Sequence, residues 1–293
     1  MASTSTATVD RLVRLDAPEE PRRRLPFSPW HLFLAPVALI MLLPLIWMVI
    51  LSLETSSEAQ SFPPVVLPTG LHFHNYVMTW NSEPFGNFFL NSAIYSLTTV
   101  AGNLLFCSLA GYAFARLKFW GRDVLFIVLL ATLMVPFQVL LIPTFLIVKH
   151  LGLVDSVGGL IMPNLCSAFG IFMLRQFFRA LPIELEEAAR IDGTSRLGIL
   201  FKIVLPLSLP ALATLGIIQF MWSWNDFLWP LIIIDTASHA PLQLGLAMLQ
   251  GDHRSHWNLV MAGTVMSQIP MIVAFLIAQR WFIRSIAFTG IKQ

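Results

Sequence analysis

The sequence predicts an all-α integral membrane protein of about six transmembrane helices, with the N and C termini both cytoplasmic. Three observations predict it: scarce charge, a series of long charge-free runs, and a lopsided placement of Lys and Arg. Of the 293 residues, 56% are hydrophobic and 12% are charged, against roughly 25% charge in a soluble domain. The net charge of +2 decides little, because the distribution matters more than the sum.

The charge-free runs extend from Leu25 to Leu53, Pro84 to Ala115, Val124 to Val148, Ser156 to Leu174, Ile203 to Asn225 (resuming after Asp226 to Ile234) and Ser255 to Gln279. Each supplies the ~20 residues that cross a bilayer core about 30 Å thick. The expected helices lie near 31–53, 86–114, 124–148, 158–178, 207–234 and 259–282.

Orientation follows from the basic residues, which the cytoplasmic side retains. That side collects Arg11, Arg14, Arg22, Arg23, Arg24, Arg116, Lys118, Arg122, Arg175, Arg179, Arg190, Arg196, Lys202, Arg280, Arg284 and Lys292, and the other holds only Lys149 and Arg254. The first thirty residues are Ser/Thr-rich, then charged, and read as a disordered cytoplasmic tail, 1–30. The apolar run after it exceeds the 7–15 residues of a cleaved leader, so it reads as an uncleaved first helix. Residues 31–85 then comprise that helix and an outer loop. From Glu54 to Glu83 the loop has no Lys or Arg, and Pro63, Pro64, Pro68 and Gly70 make it irregular. Residues 86–282 form the main transmembrane domain, and 283–293 a cytoplasmic tail.

Several chemistries find no support. Cys107 and Cys166 sit in apolar runs without ligand spacing and read as buried thiols. His239, His253 and His256 share an outer loop at spacings that fit no metal pair, so no metal is expected. No Gly-rich phosphate loop ending in Gly-Lys-Ser/Thr occurs, so this chain is expected to bind no cofactor.

One inner loop carries the strongest local signal, LPIELEEAARIDGTSRLGILFKIVLPLSLP from Leu181 to Pro210. Pro182 suits a first helical turn, and Glu184, Glu186 and Glu187 sit at the positive end of the helix dipole. Ala188 and Ala189 leave a closely packable face, and Asp192-Gly193 stops the helix. A second amphipathic stretch carries Leu197, Leu200, Phe201 and Val204 at helical spacing and leads to Pro206 and Pro210, which start span five. On physics alone, a docking element and an ordinary surface loop are equally good accounts.

Glu187-Ala188-Ala189-x-x-Asp192-Gly193, followed by Phe201, Ile203, Leu205-Pro206-Leu207 and Pro210, resembles the coupling-loop signature of binding-protein-dependent ABC importer permeases. MWSWNDFLWPLI, Met221 to Ile232, and PLQLGLAMLQGDHRSHWNLVMAG look like the carbohydrate branch, and more closely like maltose-type inner-membrane permeases. Similarity spans most of Phe73 to Lys292. The resemblance implies the type I ABC importer transmembrane fold and a coupling loop, 181–205, seated in a groove of a separate ATP-binding subunit. That partner would be a dimer holding ATP and Mg. It further implies a second, homologous permease chain, an extracytoplasmic solute-binding protein, a di- or oligosaccharide solute, and a bacterial inner membrane. Glycerol phosphate or a polyol is the alternative solute. The tail departs from the family's Gly-Leu-Thr-x-Gly-x-x-Lys-Gly ending, with Ser285, Phe288 and Thr289 in its course, which leaves Gly290 and Lys292 as candidate contacts with the ATPase.

Asn225 and Asp226 stand within span five, where a charge costs about 2.5–3.5 kcal/mol unless it faces protein or water. Helical spacing puts Gln219, Trp222, Ser223, Trp229 and Pro230 on or near their face. Two readings stay open: a pathway or gate lined by Trp222, Asn225, Asp226 and Trp229, or a polar clasp between helices. Asn103, Gln138 and Gln268 read as interhelical amides. Pro136, Pro143, Pro163, Pro230 and Pro270 are candidate bends and hinges. A secondary transporter using Asp226 would need more ionisable groups at mid-membrane, and an intramembrane enzyme finds no catalytic constellation.

Overall fold

The computed structural model describes residues 30–82, 84–252 and 256–289, with backbone alone at 251–252 and 280–289. The expected tail 1–30 and the candidate contacts Gly290 and Lys292 lie outside the described residues, apart from Trp30. Every regular element among the described residues is helical.

Helix α1, Trp30–Ser52, carries no charged residue. Its large side chains from Trp30 to Leu45 are exposed almost throughout. A helix apolar all round suits lipid, not water. Up to Trp47 it falls in one unit, and the chain from Met48 forms a second.

In the second unit, α2 (His74–Asn81) precedes the long α3 (Phe85–Arg116). There follow α4 (Arg122–Thr132), α5 (Phe137–His150), α6 (Val157–Ile161) with a 3-10 turn at Met162–Asn164, and α7 (Ala168–Ala180). Then come α8 (Glu184–Ile191), α9 (Arg196–Leu207), α10 (Leu209–Trp224), α11 (Leu228–Ile233), α12 (Leu242–Asp252) and α13 (Trp257–Thr289). Three helices, α1, α3 and α13, are long and apolar enough to cross a membrane. Each of three bent pairs can make a further span, giving up to six.

Helix α3 is the central post, flanked by α7 and α10. It comes close to the chain around α7 because Gly102 and Gly111 lack side chains. A Cβ on Gly102 would lie 2.5 Å from Leu165 Cδ2, and one on Gly111 3.2 Å from the Arg175 amide nitrogen. Small residues are the usual means of close packing in lipid. Two apolar clusters result. Phe85, Phe88, Tyr95, Leu160, Trp224, Trp229 and Ile233 fill one, toward the outer side, and Tyr112, Ile171, Leu174, Phe178, Ile199, Leu200 and Leu215 fill the other, toward the cytoplasm.

Three expected helices prove to be broken; the mildest break, of 41°, divides span four between α6 with its 3-10 turn and α7. Span three, expected to run unbroken over 124–148, turns by 105° between α4 and α5. Pro136 lies at the break, its own ψ extended at 138, and helices usually end at or before the residue that precedes a proline. Span five, expected over 207–234, ends at Trp224, and Asn225 caps it. Pro230 lacks the N–H that Asp226 C=O would need in a continuous helix, and its ring crowds that carbonyl. Asp226 instead caps α11 by accepting the Trp229 N–H at Oδ1, 3.3 Å. The helix also turns by 82° at Ser208, between α9 and α10, so Pro206 ends one helix and Pro210 begins the next.

On the outer side, Asn75 Nδ2 donates to Ser52 O and Glu54 O, each at 2.9 Å, and Asn75 Oδ1 accepts from Asn258 Nδ2 at 3.1 Å. Glu54 is buried there, and among the described residues neither carboxylate oxygen has a hydrogen-bond partner. Burial, then the neighbouring Glu58 carboxylate, push its pKa up. A carboxyl that holds its proton more tightly when folded loses stability as pH rises through its unfolded and then its folded pKa. Glu54→Gln is therefore expected to raise the thermal midpoint at pH 7, with the two proteins converging near about pH 4. A lower midpoint for the variant at pH 7, measured in detergent, would contradict it.

Candidate functional site

The inner loop forms the two short helices α8 and α9. Helix α8 ends in a cap whose hydrogen bonds require a left-handed residue: Gly193 has φ +79. Its N–H donates to Arg190 O at 3.0 Å, and the Thr194 N–H to Ala189 O at 2.9 Å, the pairing of a Schellman motif. Ser195 Oγ then caps α9 by accepting the Gly198 N–H at 3.1 Å.

Of the loop residues singled out from sequence, Glu184, Glu187, Ala188, Asp192, Gly193, Phe201 and Pro206 are exposed, Leu205 is half-buried and Ala189 is buried. Two features had no individual signal. Ile191 is 87% exposed at the tip of α8, beside exposed Leu197. Glu186 turns inward and is buried. Its Oε1 accepts from Arg116 Nε at 2.6 Å and its Oε2 from the Tyr112 hydroxyl at 3.1 Å. Arg116 Nη2 also donates to Leu181 O at 2.7 Å. The loop is thus fastened to the cytoplasmic end of α3 on one side and presents bare apolar groups on the other. Beside it lies a groove of about 640 Å³ lined by Arg116, Lys118, Glu186, Glu187, Arg190 and Arg196, among others.

The break after α10 borders a second cavity, of about 600 Å³, lined by Tyr95, Phe137, Asn164, Cys166, Ser167, Gln219, Met221, Trp222, Ser223, Asn225 and Asp226. Its wall is a hydrogen-bonded chain. The Tyr95 hydroxyl donates to Asp226 Oδ2 at 2.9 Å and accepts from Asn164 Nδ2 at 3.0 Å. Asn103 Nδ2 donates to Asn164 O at 2.7 Å, and the Ser167 hydroxyl to Asn103 Oδ1 at 2.7 Å. The rings of Trp222 and Phe169 lie 5.7 Å apart.

Trp222, Asn225 and Asp226 are thus brought to one cavity. Trp229 is not: it is buried in the outer apolar cluster, and its indole N–H donates to Gly159 O at 3.2 Å. The helix break rotates it away from the face that an unbroken helix would share with Trp222. Cys166 also departs from expectation, being exposed while Cys107 is buried. It stands in the gap before α7, on the cavity wall.

The described residues thus combine helices apolar enough to cross a membrane, a polar cavity at a broken helix and a fastened helix pair, and the family match gives their class, a transport permease subunit. Residues 103–288 match the family described as "Binding-protein-dependent transport system inner membrane component", and the chain belongs to that family. It is 35% identical over 276 residues to the arabinooligosaccharides transport system permease protein AraQ of Halalkalibacterium halodurans, covering 92% of this chain and 99% of that one. It is 37% identical over 266 residues to the sn-glycerol-3-phosphate transport system permease protein UgpE of Yersinia pestis bv. Antiqua, covering 87% and 94%. The fold matches a chain of a bacterial ABC transporter involved in the import of the acidic polysaccharide alginate, with a TM-score of 0.77, 27% identity, and coverage of 88% of this chain and 100% of that one. The fold is that of type I ABC importer permeases.

Proposed function

We propose that this chain forms half of the translocation pathway of an ATP-driven importer in a bacterial inner membrane. A second, homologous permease chain completes the pathway. A dimer of ATP-binding subunits, holding ATP and Mg, docks on α8 and α9, and an extracytoplasmic binding protein delivers the solute. No bond is made or broken in this subunit.

The observation that carries the reading is the bare tip of α8 on a loop bolted to α3. Ile191, Leu197 and Phe201 are exposed apolar groups on a short polar segment, which is the composition of an interface. The Arg116–Glu186 pair behind them gives a movement of the loop a stiff route into a long helix. The solute reading, a di- or oligosaccharide, draws on the relatives and on the cavity. There Trp222 and Phe137 offer rings to stack on sugar faces, beside amides and hydroxyls. The UgpE relative supports a polyol phosphate as the second reading.

Affinity purification from membranes tests the assembly. The native chain should bring down an ATP-binding subunit and a second permease, and the complex should take up solute in vesicles only with ATP. Ile191→Asp costs the fold little, because the side chain touches almost nothing, and should weaken ATPase recovery by more than about tenfold while keeping the second permease. A native chain that purifies alone and moves solute without ATP would overturn the reading.

A further inference from the structure

We infer that this half of the pathway selects by charge: it admits neutral, hydroxyl-rich solutes and rejects those bearing a phosphate or carboxylate, and Asp226 sets the sign. The inference rests on the cavity's being the solute pathway.

The lining contains no Lys, Arg or His, and one carboxylate, Asp226. A charged solute in a membrane cavity needs a counter-charge or a full set of hydrogen bonds. An anion, which can only accept hydrogen bonds, would have to find donors in the wall, and most of them are already spent.

The Tyr95 hydroxyl proton goes to Asp226, and the Asn164 amide protons go to Tyr95 Oη and Leu160 O. The Ser167 hydroxyl donates to Asn103 Oδ1, and the Ser223 hydroxyl to Gln219 O at 2.8 Å. Asn225 Nδ2 donates to Met221 O at 2.9 Å and to Met271 Sδ at 3.8 Å, and the Cys166 sulfur is paired with that of Cys107 at 3.7 Å. Among the described residues, two neutral side-chain donors of the wall remain uncommitted, the Trp222 indole and the Gln219 amide.

Acceptors are in better supply. Asp226 Oδ1 takes a 3.3 Å bond from the Trp229 N–H, the Leu228 N–H also faces this carboxylate, and Asn225 Oδ1 takes a 3.5 Å bond from Gln243. A wall with free acceptors and few donors suits sugar hydroxyls, which can donate. It leaves a phosphate or uronate facing a carboxylate with two neutral donors. On this basis a neutral oligosaccharide fits and a polyol phosphate does not.

The chain carries its own probe. Cys166 lines this cavity and is exposed, whereas Cys107 is buried. Methanethiosulfonates of positive, negative and no charge therefore read the local field by their rates at Cys166. The reagents are applied to the reduced, complete importer in vesicles, with rates normalised to a small free thiol, and ATP-driven uptake is measured in the same vesicles.

The cationic reagent should react about tenfold faster than the anionic one. Asp226→Asn, which keeps an acceptor for Tyr95, should bring the ratio near one, and Trp222→Arg, at a side chain more than half exposed, should reverse it. Equal or anion-favouring rates in the native protein would overturn charge selection, even with uptake intact. Cys166 Sγ lies 3.7 Å from Cys107 Sγ, so a second probe is needed. If Cys166, and a cysteine put in place of exposed Trp222 in a Cys166→Ser background, both resist all three reagents, the cavity is not an aqueous pathway, and the reading beneath the inference falls with it.

Discussion

Gly159→Ala is expected to lower stability by about 3 kcal/mol, while Gly158→Ala, one residue away, is expected to be neutral or stabilising. A Cβ on Gly159 would sit 2.2 Å from Leu153 O and 3.3 Å from Ile233 Cγ1. The first of these is backbone, so no side chain can swing aside and α6 itself must move. That shift would carry away the Gly159 carbonyl that holds the Trp229 indole. It would also disturb the adjacent outer clasp, in which the Asp155 N–H donates to Ile233 O at 2.8 Å and Asp155 Oδ1 accepts the Asp235 and Thr236 N–H groups. At Gly158 the nearest atom would be Ser156 Oγ at 3.6 Å, an ordinary contact, and alanine lowers the entropy of the unfolded chain. Thermal unfolding of both variants in detergent decides it. Two equal midpoints would mean that the close approach at Gly159 is not a constraint.

Breaking the Arg116–Glu186 pair is the other large effect. Both side chains are about nine-tenths buried, and removing one partner of such a pair strands the other charge, typically at 3–5 kcal/mol. Glu186→Gln is expected to loosen α8 from α3 while leaving Ile191 and its neighbours in place. The ATP-binding subunit should therefore still bind and hydrolyse ATP, while solute uptake falls tenfold or more. Arg116→Gln combined with Glu186→Gln removes both charges and should recover part of the lost stability, giving a non-additive double-mutant cycle. Additive stability losses, or uptake by Glu186→Gln at the native rate, would remove this pair from the coupling route.

Parts of both sites were open to sequence reasoning. Asp192-Gly193 announced the end of α8 because a left-handed cap is a local demand on one residue, met at φ +79. The breaks in spans three and five were half legible. Pro136 and Pro230 are candidate bends in the sequence, whereas the expected helices over 124–148 and 207–234 run through both. Hydrophobicity alone runs through such a break, so the continuous helix over 207–234 placed Trp229 beside Trp222 in error.

Glu186 shows the limit most clearly. Three glutamates share the first turn of α8, and no local rule separates them. The one that turns inward is chosen by Tyr112 and Arg116, some seventy positions earlier in the chain. Cys166 shows the same limit, since its exposure comes from a gap between two helices that composition reads as one run.

The sequence by itself determined the membrane class, the family resemblance and the position of the exposed helix pair α8 and α9. All of these rest on composition, charge placement and short-range motifs, which are properties of neighbouring residues. Tertiary structure alone decided that Glu186 locks the loop to α3, that Tyr95 and Asn164 engage Asp226, and that the cavity wall has spent most of its donors. Those facts depend on which distant groups meet, and in lipid a polar group that lacks water must take whatever partner the helix packing brings to it.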